Sequence, residues 1–172
     1  AQVAMNRLSE LMSLEREDSE SEQRIQDVDL KTDLTFENVT FGYGSRPPVL
    51  KDFDLQINQG EKIALVGESG AGKSTIAKLL LKFIIPQSGQ IKFGDHQLSD
   101  LDHQHLRRKV AYIPQKIDLF TGTIIDNLKI ANPDAKYEEI IAACQLAGAD
   151  TFIERLQNRY HAIIEEGGSN LS

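Results

Sequence analysis

The chain has 172 residues, of which 40% are hydrophobic and 26% are charged, and its formal net charge is −7. This length and composition predict one domain with a hydrophobic core and room for a small appended subdomain. The negative charge disfavours a nucleic-acid partner, which binds best to a basic surface. A membrane span needs about 18 consecutive apolar residues, and the sequence contains no such run. The single cysteine, Cys144, excludes an internal disulfide and is expected to be a small buried hydrophobe.

The N-terminal residues divide into two stretches of different character. Residues 1–14 place apolar side chains at helical spacing and predict an amphipathic helix. No capping residue precedes this helix and no initiator methionine is present, so we expect a piece of a longer protein. Residues 15–33 are polar and acidic at their start, and we expect them to form a solvated linker.

Two strands are predicted next, over residues 34–41 and 50–57, because both stretches are rich in β-branched and aromatic residues. The turn between them, residues 42–48, holds Tyr43 between two glycines. An exposed aromatic ring at such a place can stack on a nucleobase. The alternative, a tyrosine that only packs on the turn, is the more frequent outcome on these residues alone.

Residues 67–75, which we call the phosphate loop, fit the pattern G-x-x-x-x-G-K-[ST]. Residues 62–66 before the loop predict a buried parallel strand, and apolar residues after Lys73 predict a helix that continues to Ile84. Glycines let successive N–H groups face one anion at a helix N-terminus. Lys73 would then contact the β- and γ-phosphates, Ser74 a Mg²⁺ ion, and Thr75 the region of the α-phosphate. The competing interpretation is a glycine-rich turn that merely opens a helix.

Further elements follow the phosphate loop. Residues 90–93 predict a strand, Ser99 is the expected N-cap of a helix that ends near Arg108, and residues 110–113 predict another buried strand. Gln115 follows that strand, at the edge where open α/β sheets place ligand contacts. Three histidines and three aspartates in this part of the chain suggest either a metal cluster or, more readily, a solvated surface: His96, His103, His105, Asp95, Asp100 and Asp102.

The last third of the sequence predicts mainly helices. Residues 120–128 lead into a helical stretch, and a further helix is expected to begin at Pro133 and to end at Gly148. Thr151 is the expected N-cap of the next helix. Helices in sequence here predict a separate helical subdomain.

The order of these motifs, with Asn170-Leu171-Ser172 at the end, resembles the nucleotide-binding domain of an ATP-binding cassette (ABC) transporter over about residues 34–172. The resemblance implies that Tyr43 stacks on the adenine of ATP and that Gln115 reaches Mg²⁺ and the attacking water. Leu171 and Ser172 are similar to the start of the family signature Leu-Ser-Gly-Gly-Gln, which implies that Ser172 contacts nucleotide. The implied ATP-binding residues of the loop are Gly67, Ser69, Gly70, Ala71, Gly72, Lys73, Ser74 and Thr75.

The fold implied by this resemblance is an α/β P-loop NTPase core, with a mixed sheet and an antiparallel β subdomain over residues 34–118, and a helical subdomain over residues 119–172. The rest of the signature and the Walker B Asp-Glu pair do not occur in the sequence. We therefore expect the C-terminal half of the domain to be missing. We also expect the isolated chain to bind ATP without hydrolysing it.

Residues 120–127 and Glu166 resemble the exporter subgroup of this family, in which the glutamate meets the membrane domain. This resemblance implies an ATPase that drives export of peptides or bacteriocins at the cytoplasmic face of a membrane. The implied partners are a second nucleotide-binding domain in a homodimer and the transmembrane domain of the same exporter. A soluble ABC-type ATPase of DNA repair or translation is the alternative, and a P-loop kinase is a third possibility for which no acceptor site is found.

Overall fold

The computed structural model describes residues 24–171 together with Met5, Arg7, Met12 and Ser13. The chain divides into two compact units, a first unit that ends at Tyr112 and a second unit that begins at Ile113. Most of the predicted helix over residues 1–14, the first part of the expected linker, and Ser172 lie outside the described residues. Within the described part of the chain, no helix is long and apolar enough to cross a membrane.

The first unit is built on an antiparallel sheet of four strands in the order β2-β1-β3-β4. Its strands are β1 (Leu34–Phe41), β2 (Leu50–Ile57), β3 (Ser88–Phe93) and β4 (His96–Gln97). Leu34, Phe36, Val39 and Phe41 of β1 are buried, and they alternate with more exposed residues except at an irregularity between Phe36 and Val39. The predictions of strands at β1, β2 and β3 are confirmed.

Two α-helices belong to the first unit, α1 (Lys73–Leu80) and α2 (His103–Lys109), with a short 3₁₀ helix, Leu98–Asp100, before α2. The most deeply buried side chains of this unit are Phe36, Val39, Leu79, Leu101 and Leu106. These residues come from β1, from both helices and from the segment between them, so one core holds the sheet and the helices together.

Two predictions about helix ends in the first unit are wrong. Ser99 does not cap α2, because it lies within the 3₁₀ helix, and the cap is Asp102, whose carboxylate accepts the His105 N–H at 2.7 Å. Helix α1 ends at Leu80 and not near Ile84, because the backbone turns left-handed at Lys82 with φ 55°.

The predicted buried strands at residues 62–66 and 110–113 are also wrong. Neither segment forms a strand, and Val66 and Ile113 are 90% and 84% exposed. A parallel strand is stable only when a neighbouring strand pairs with it and both faces are covered. No described segment pairs with either of these stretches as a strand, and all of their apolar side chains except that of Val110 are exposed.

The second unit consists of a two-stranded antiparallel sheet and three short α-helices among its described residues. Its elements are β5 (Gly122–Thr123), α3 (Ile124–Lys129), α4 (Tyr137–Leu146), α5 (Asp150–Ile153), β6 (Ile163–Ile164) and the 3₁₀ helices Arg159–His161 and Glu166–Gly168. Their buried side chains form one cluster that includes Cys144, as expected for a small apolar residue.

The helix boundaries of the second unit differ in part from the predicted ones. Helix α4 begins at Tyr137, with Lys136 as its N-cap, and not at Pro133. Thr151 lies inside α5 and donates its hydroxyl hydrogen to the Gly148 carbonyl, so it does not cap that helix. Gly148 follows α4 with φ 69°, which confirms the predicted stop, since glycine adopts the left-handed conformation without strain.

Candidate functional site

The phosphate loop curls because three of its glycines adopt positive φ angles, 155° at Gly67 and 88° at both Gly70 and Gly72. Residues with a side chain rarely adopt these conformations. Within the loop, the Ala71 N–H donates to the Glu68 carbonyl at 3.2 Å and closes a tight turn. The pattern of glycines in the sequence therefore corresponds to a required backbone shape.

Gly72 also meets a packing limit that the motif alone does not reveal. A Cβ atom at this position would lie 2.9 Å from Leu50 Cδ2 and 3.1 Å from Val49 Cγ1. The start of β2 is thus packed directly against the junction of the loop and α1.

The N-terminus of α1 is open to an anion. Gly72 is its N-cap residue, no side chain caps it, and no acidic residue lies in its first turn. The first N–H groups of a helix have no partner within the helix, and its dipole favours negative charge there. A phosphate group fits this end of the helix.

Lys73 places its ammonium group across the loop. Its Nζ donates to the Gly67 carbonyl at 2.8 Å and to the Glu68 carbonyl at 2.7 Å. A positive charge and the helix N-terminus therefore belong to the same short segment of chain. This donor set suits a polyphosphate, which needs several hydrogen-bond donors and a compensating cation.

The two hydroxyl residues after Lys73 differ in environment. Ser74 is exposed, whereas Thr75 is only 5% exposed and lies within 3.3 Å of the Tyr43 hydroxyl oxygen. An exposed hydroxyl in the first turn of α1 fits the predicted role of Ser74 as a Mg²⁺ ligand. The buried Thr75 connects the loop to the turn after β1.

Tyr43 lies beside the phosphate loop, although the two are 32 residues apart in the sequence. The edge of its ring contacts Phe41, with centroids 4.9 Å apart at an interplanar angle of 89°, and Lys78 Nζ lies 5.9 Å from the ring centroid. The ring remains 38% exposed. Both interpretations of the sequence thus have a basis: Tyr43 packs on its turn, and part of the ring stays accessible beside the loop.

The remaining predicted site residues belong to the second unit or lie outside the described residues. Gln115 is exposed and follows Pro114 in a bend. Glu166 is exposed in the first position of its 3₁₀ helix. Ser172 is outside the described residues. The roles of all three residues stay predictions.

Sequence reasoning missed Lys78 and Leu50 as parts of this region. Lys78 adds a second positive charge near Tyr43, and Leu50 supports the loop at Gly72. The spacing of Lys73 and Lys78 along α1 gives no signal of a shared site. Long-range packing of a strand end on a loop likewise leaves no local pattern in the sequence.

Two of the histidines considered as a metal cluster contact other parts of the first unit instead. His103 is buried, and the His105 ring lies 3.1 Å from the Val28 carbonyl oxygen. Among the described residues, no group of three or more His, Cys, Asp or Glu side chains is arranged to hold a metal ion.

Comparison with known proteins gives a consistent result. The family described as ABC transporter matches residues 50–172. The chain is 42% identical over its whole length to 25% of the lactococcin-G-processing and transport ATP-binding protein LagD of Lactococcus lactis subsp. lactis. It is 38% identical, over 99% of its length, to 24% of the alpha-hemolysin translocation ATP-binding protein HlyB of Escherichia coli.

A solved structure is similar as well. A bacterial Atm1-family ABC exporter with ATP bound superposes with a TM-score of 0.88 at 32% identity, over 99% of this chain and 30% of that protein. The chain thus spans about a quarter of the length of the curated relatives that it matches. The expected P-loop NTPase fold of the ABC type is confirmed, and the chain belongs to the ABC transporter family.

Proposed function

We propose that this chain is the ATP-binding part of an ABC exporter and that it couples ATP binding and hydrolysis to export across a membrane. The observation that carries this proposal is the combination of an open helix N-terminus, the ammonium of Lys73 and the exposed ring of Tyr43 in one region. The phosphate groups of ATP lie in the loop and the adenine stacks on Tyr43. The related exporter whose structure is similar was solved with ATP bound.

Different residues of the loop contact different parts of the ligand. Lys73 donates to the β- and γ-phosphates, and the glycines let backbone N–H groups approach the same oxygens. Ser74 would hold a Mg²⁺ ion, which offsets the negative charge of the phosphates, and the family resemblance implies a Mg²⁺-binding role for Gln115 as well. In the intact protein Gln115 also orients the water molecule that attacks the γ-phosphate in line.

The site is completed by a second copy of the domain. Each ATP lies between the phosphate loop of one domain and the signature of the other, to which Leu171 and Ser172 belong. Binding closes the pair, hydrolysis opens it, and Glu166 contacts the transmembrane domain that responds at the cytoplasmic face. We propose a homodimer, because one chain then supplies both halves of each site.

The proposed cargo is a polypeptide such as a bacteriocin. The names of the relatives support this class, since LagD is described as a processing and transport protein for lactococcin G and HlyB as a translocation protein for alpha-hemolysin. In vesicles that contain the intact transporter, we expect such a peptide to stimulate hydrolysis and lipids or small drugs to leave it unchanged. Stimulation by a drug alone would contradict the polypeptide assignment.

Calorimetric titration with ATP and Mg²⁺ tests the binding site on the 172-residue chain. Lys73→Ala is expected to weaken ATP binding roughly ten- to hundredfold, because a charged hydrogen bond contributes about 1.5–3 kcal/mol. Lys31→Ala removes an exposed lysine of the same unit and is the matched control. An unchanged dissociation constant in Lys73→Ala would remove the loop from the site.

A phosphate-release assay on the same chain separates binding from turnover. We expect no hydrolysis above background, because the sequence contains no Walker B Asp-Glu pair to activate water. Steady hydrolysis that disappears in Lys73→Ala would show that another residue of this chain serves as the base.

A further inference from the structure

The C-terminal end of α1 has an unusual residue at its turn. Lys82 adopts φ 55°, and the Lys82 and Phe83 N–H groups donate to the Leu79 and Lys78 carbonyls at 3.0 and 2.9 Å. This pair of hydrogen bonds is the Schellman motif, in which the left-handed position is usually glycine. A lysine is strained there, so other contacts must hold it.

The side chain of Lys82 provides those contacts. Its Nζ donates to the Ser99 carbonyl at 3.0 Å and to the Leu101 carbonyl at 2.7 Å. Burial and the nearby charge of Arg24 lower the pKa of Lys82, although Asp102 and Asp100 act in the opposite direction. An ammonium that is partly shielded from water is stabilised by the two carbonyls that accept from it. Lys82 therefore connects the end of α1 to the segment before α2.

The segment before α2 also pairs with residues 24–30, which we call the strap. Ile25 pairs in parallel with Leu101: the Ile25 N–H donates to the Asp100 carbonyl at 2.9 Å, and the Asp102 N–H donates to the Ile25 carbonyl at 3.0 Å. Val28 is buried in the core at 6% exposure. The strap is thus bound to the first unit, although its sequence predicts a solvated linker.

Two histidines of α2 add side-chain contacts to the strap. His103 Nδ1 lies 3.4 Å from an Arg24 guanidinium nitrogen, and the His105 ring lies 3.1 Å from the Val28 carbonyl oxygen. The Leu101 carbonyl thus accepts from Lys82, and the same residue pairs with Ile25 of the strap. A contiguous path of hydrogen bonds runs from α1 to the strap.

We propose that Lys82 is a positioning residue that couples the phosphate-binding helix to the strap. This inference rests on the proposed function, since ATP is the ligand at the N-terminus of α1. Helix α1 is short, with eight residues, so a displacement at Gly72 reaches Lys82 over only about 15 Å. In this proposal the strap has an attached and a detached state, and ATP shifts the equilibrium between them. Coupling of this kind is reciprocal, so detaching the strap changes ATP affinity by the same factor.

Hydrogen exchange on the 172-residue chain measures this coupling at the amides of Ile25 and Asp102, with and without ATP and Mg²⁺. In the unmodified chain we expect ATP to change the exchange of both amides about five- to tenfold. In Lys82→Gly and Lys82→Asn, which both tolerate the left-handed turn, ATP is expected to bind without changing this exchange. Ser99→Ala is the matched control, because Lys82 contacts only its backbone carbonyl.

The outcomes separate this inference from the proposed function. Equal ATP-dependent changes in the unmodified chain and in Lys82→Gly would overturn the role of Lys82. Calorimetric binding of ATP with no change in exchange in the unmodified chain would overturn the coupling itself. If the unmodified chain binds no ATP, the proposed function and the coupling both fail, and ligand-free exchange in Lys82→Gly then shows whether Lys82 still holds the strap.

Discussion

The hydroxyl oxygen of Tyr43 lies 3.3 Å from Thr75 Oγ1 and joins the turn after β1 to the first turn of α1. Either hydroxyl can donate in this pair. Through this contact a ring that is 38% exposed is held at the side of the phosphate loop. The same hydrogen bond allows the ring and the hydroxyl of Tyr43 to be tested separately.

Tyr43→Ala is expected to weaken ATP binding roughly 10- to 100-fold, because stacking of an aromatic ring on a base contributes about 1–3 kcal/mol. Binding of inorganic triphosphate is expected to stay nearly unchanged. Tyr43→Phe keeps the ring and removes the hydroxyl, so it is expected to retain most of the ATP affinity. Calorimetry with both ligands decides the matter, and equal losses for ATP and triphosphate would mean that Tyr43 supports the loop and not the base.

Gly70→Ala and Gly72→Ala form a matched pair, since both glycines have φ 88°. An added Cβ has nothing within 4 Å at Gly70 but meets Leu50 at 2.9 Å at Gly72. We expect Gly70→Ala to lower the free energy of unfolding by about 1–2 kcal/mol through backbone strain. Gly72→Ala is expected to lower it by about 1 kcal/mol more, because the side chains of Leu50 and Val49 must move to make room for the added Cβ. Urea denaturation measures both values, and equal losses would show that the contact with β2 contributes nothing.

The carboxylate of Asp102 is expected to make the free energy of unfolding depend on pH. The backbone hydrogen bond from His105 lowers the pKa of Asp102 below its ordinary value of 3.8, and burial partly opposes this. A carboxylate with a lowered pKa stabilises the fold above its unfolded pKa, and this contribution is lost as the pH falls through the folded pKa. Asp102→Asn keeps a capping side chain but does not titrate. In urea unfolding at several pH values, the stability difference between the unmodified chain and this variant should shrink below about pH 4. A difference that is constant with pH would contradict this assignment.

Gln115→Ala tests the proposed catalytic role in the intact exporter. We expect ATP hydrolysis to fall about tenfold or more and ATP affinity to fall less, because the lost contact to Mg²⁺ weakens binding whereas a misplaced water also slows the chemical step. Gln145→Ala removes an exposed glutamine of the same unit and is the control. A loss of ATP affinity that equals the loss of hydrolysis would make Gln115 a binding residue only.

The sequence alone was sufficient for features that depend on neighbouring residues. The glycines of the phosphate loop, the start of α1 at Lys73, and the strands β1 and β2 follow from local backbone preferences and side-chain alternation. The end of α4 before Gly148 was also predictable from the sequence, because glycine adopts the left-handed conformation without help from the rest of the chain.

Only the tertiary structure decided features that depend on distant partners. Residues 62–66 are apolar enough for a buried strand, yet without a pairing strand among the described residues they stay exposed. Lys82 ends α1 because carbonyls of Ser99 and Leu101 hold it, and those residues are 17 and 19 positions away. The strap looks like a linker in sequence because, apart from the buried Val28 and the contact of Arg24 with His103, its attachment uses backbone groups, which every residue carries and no composition reveals.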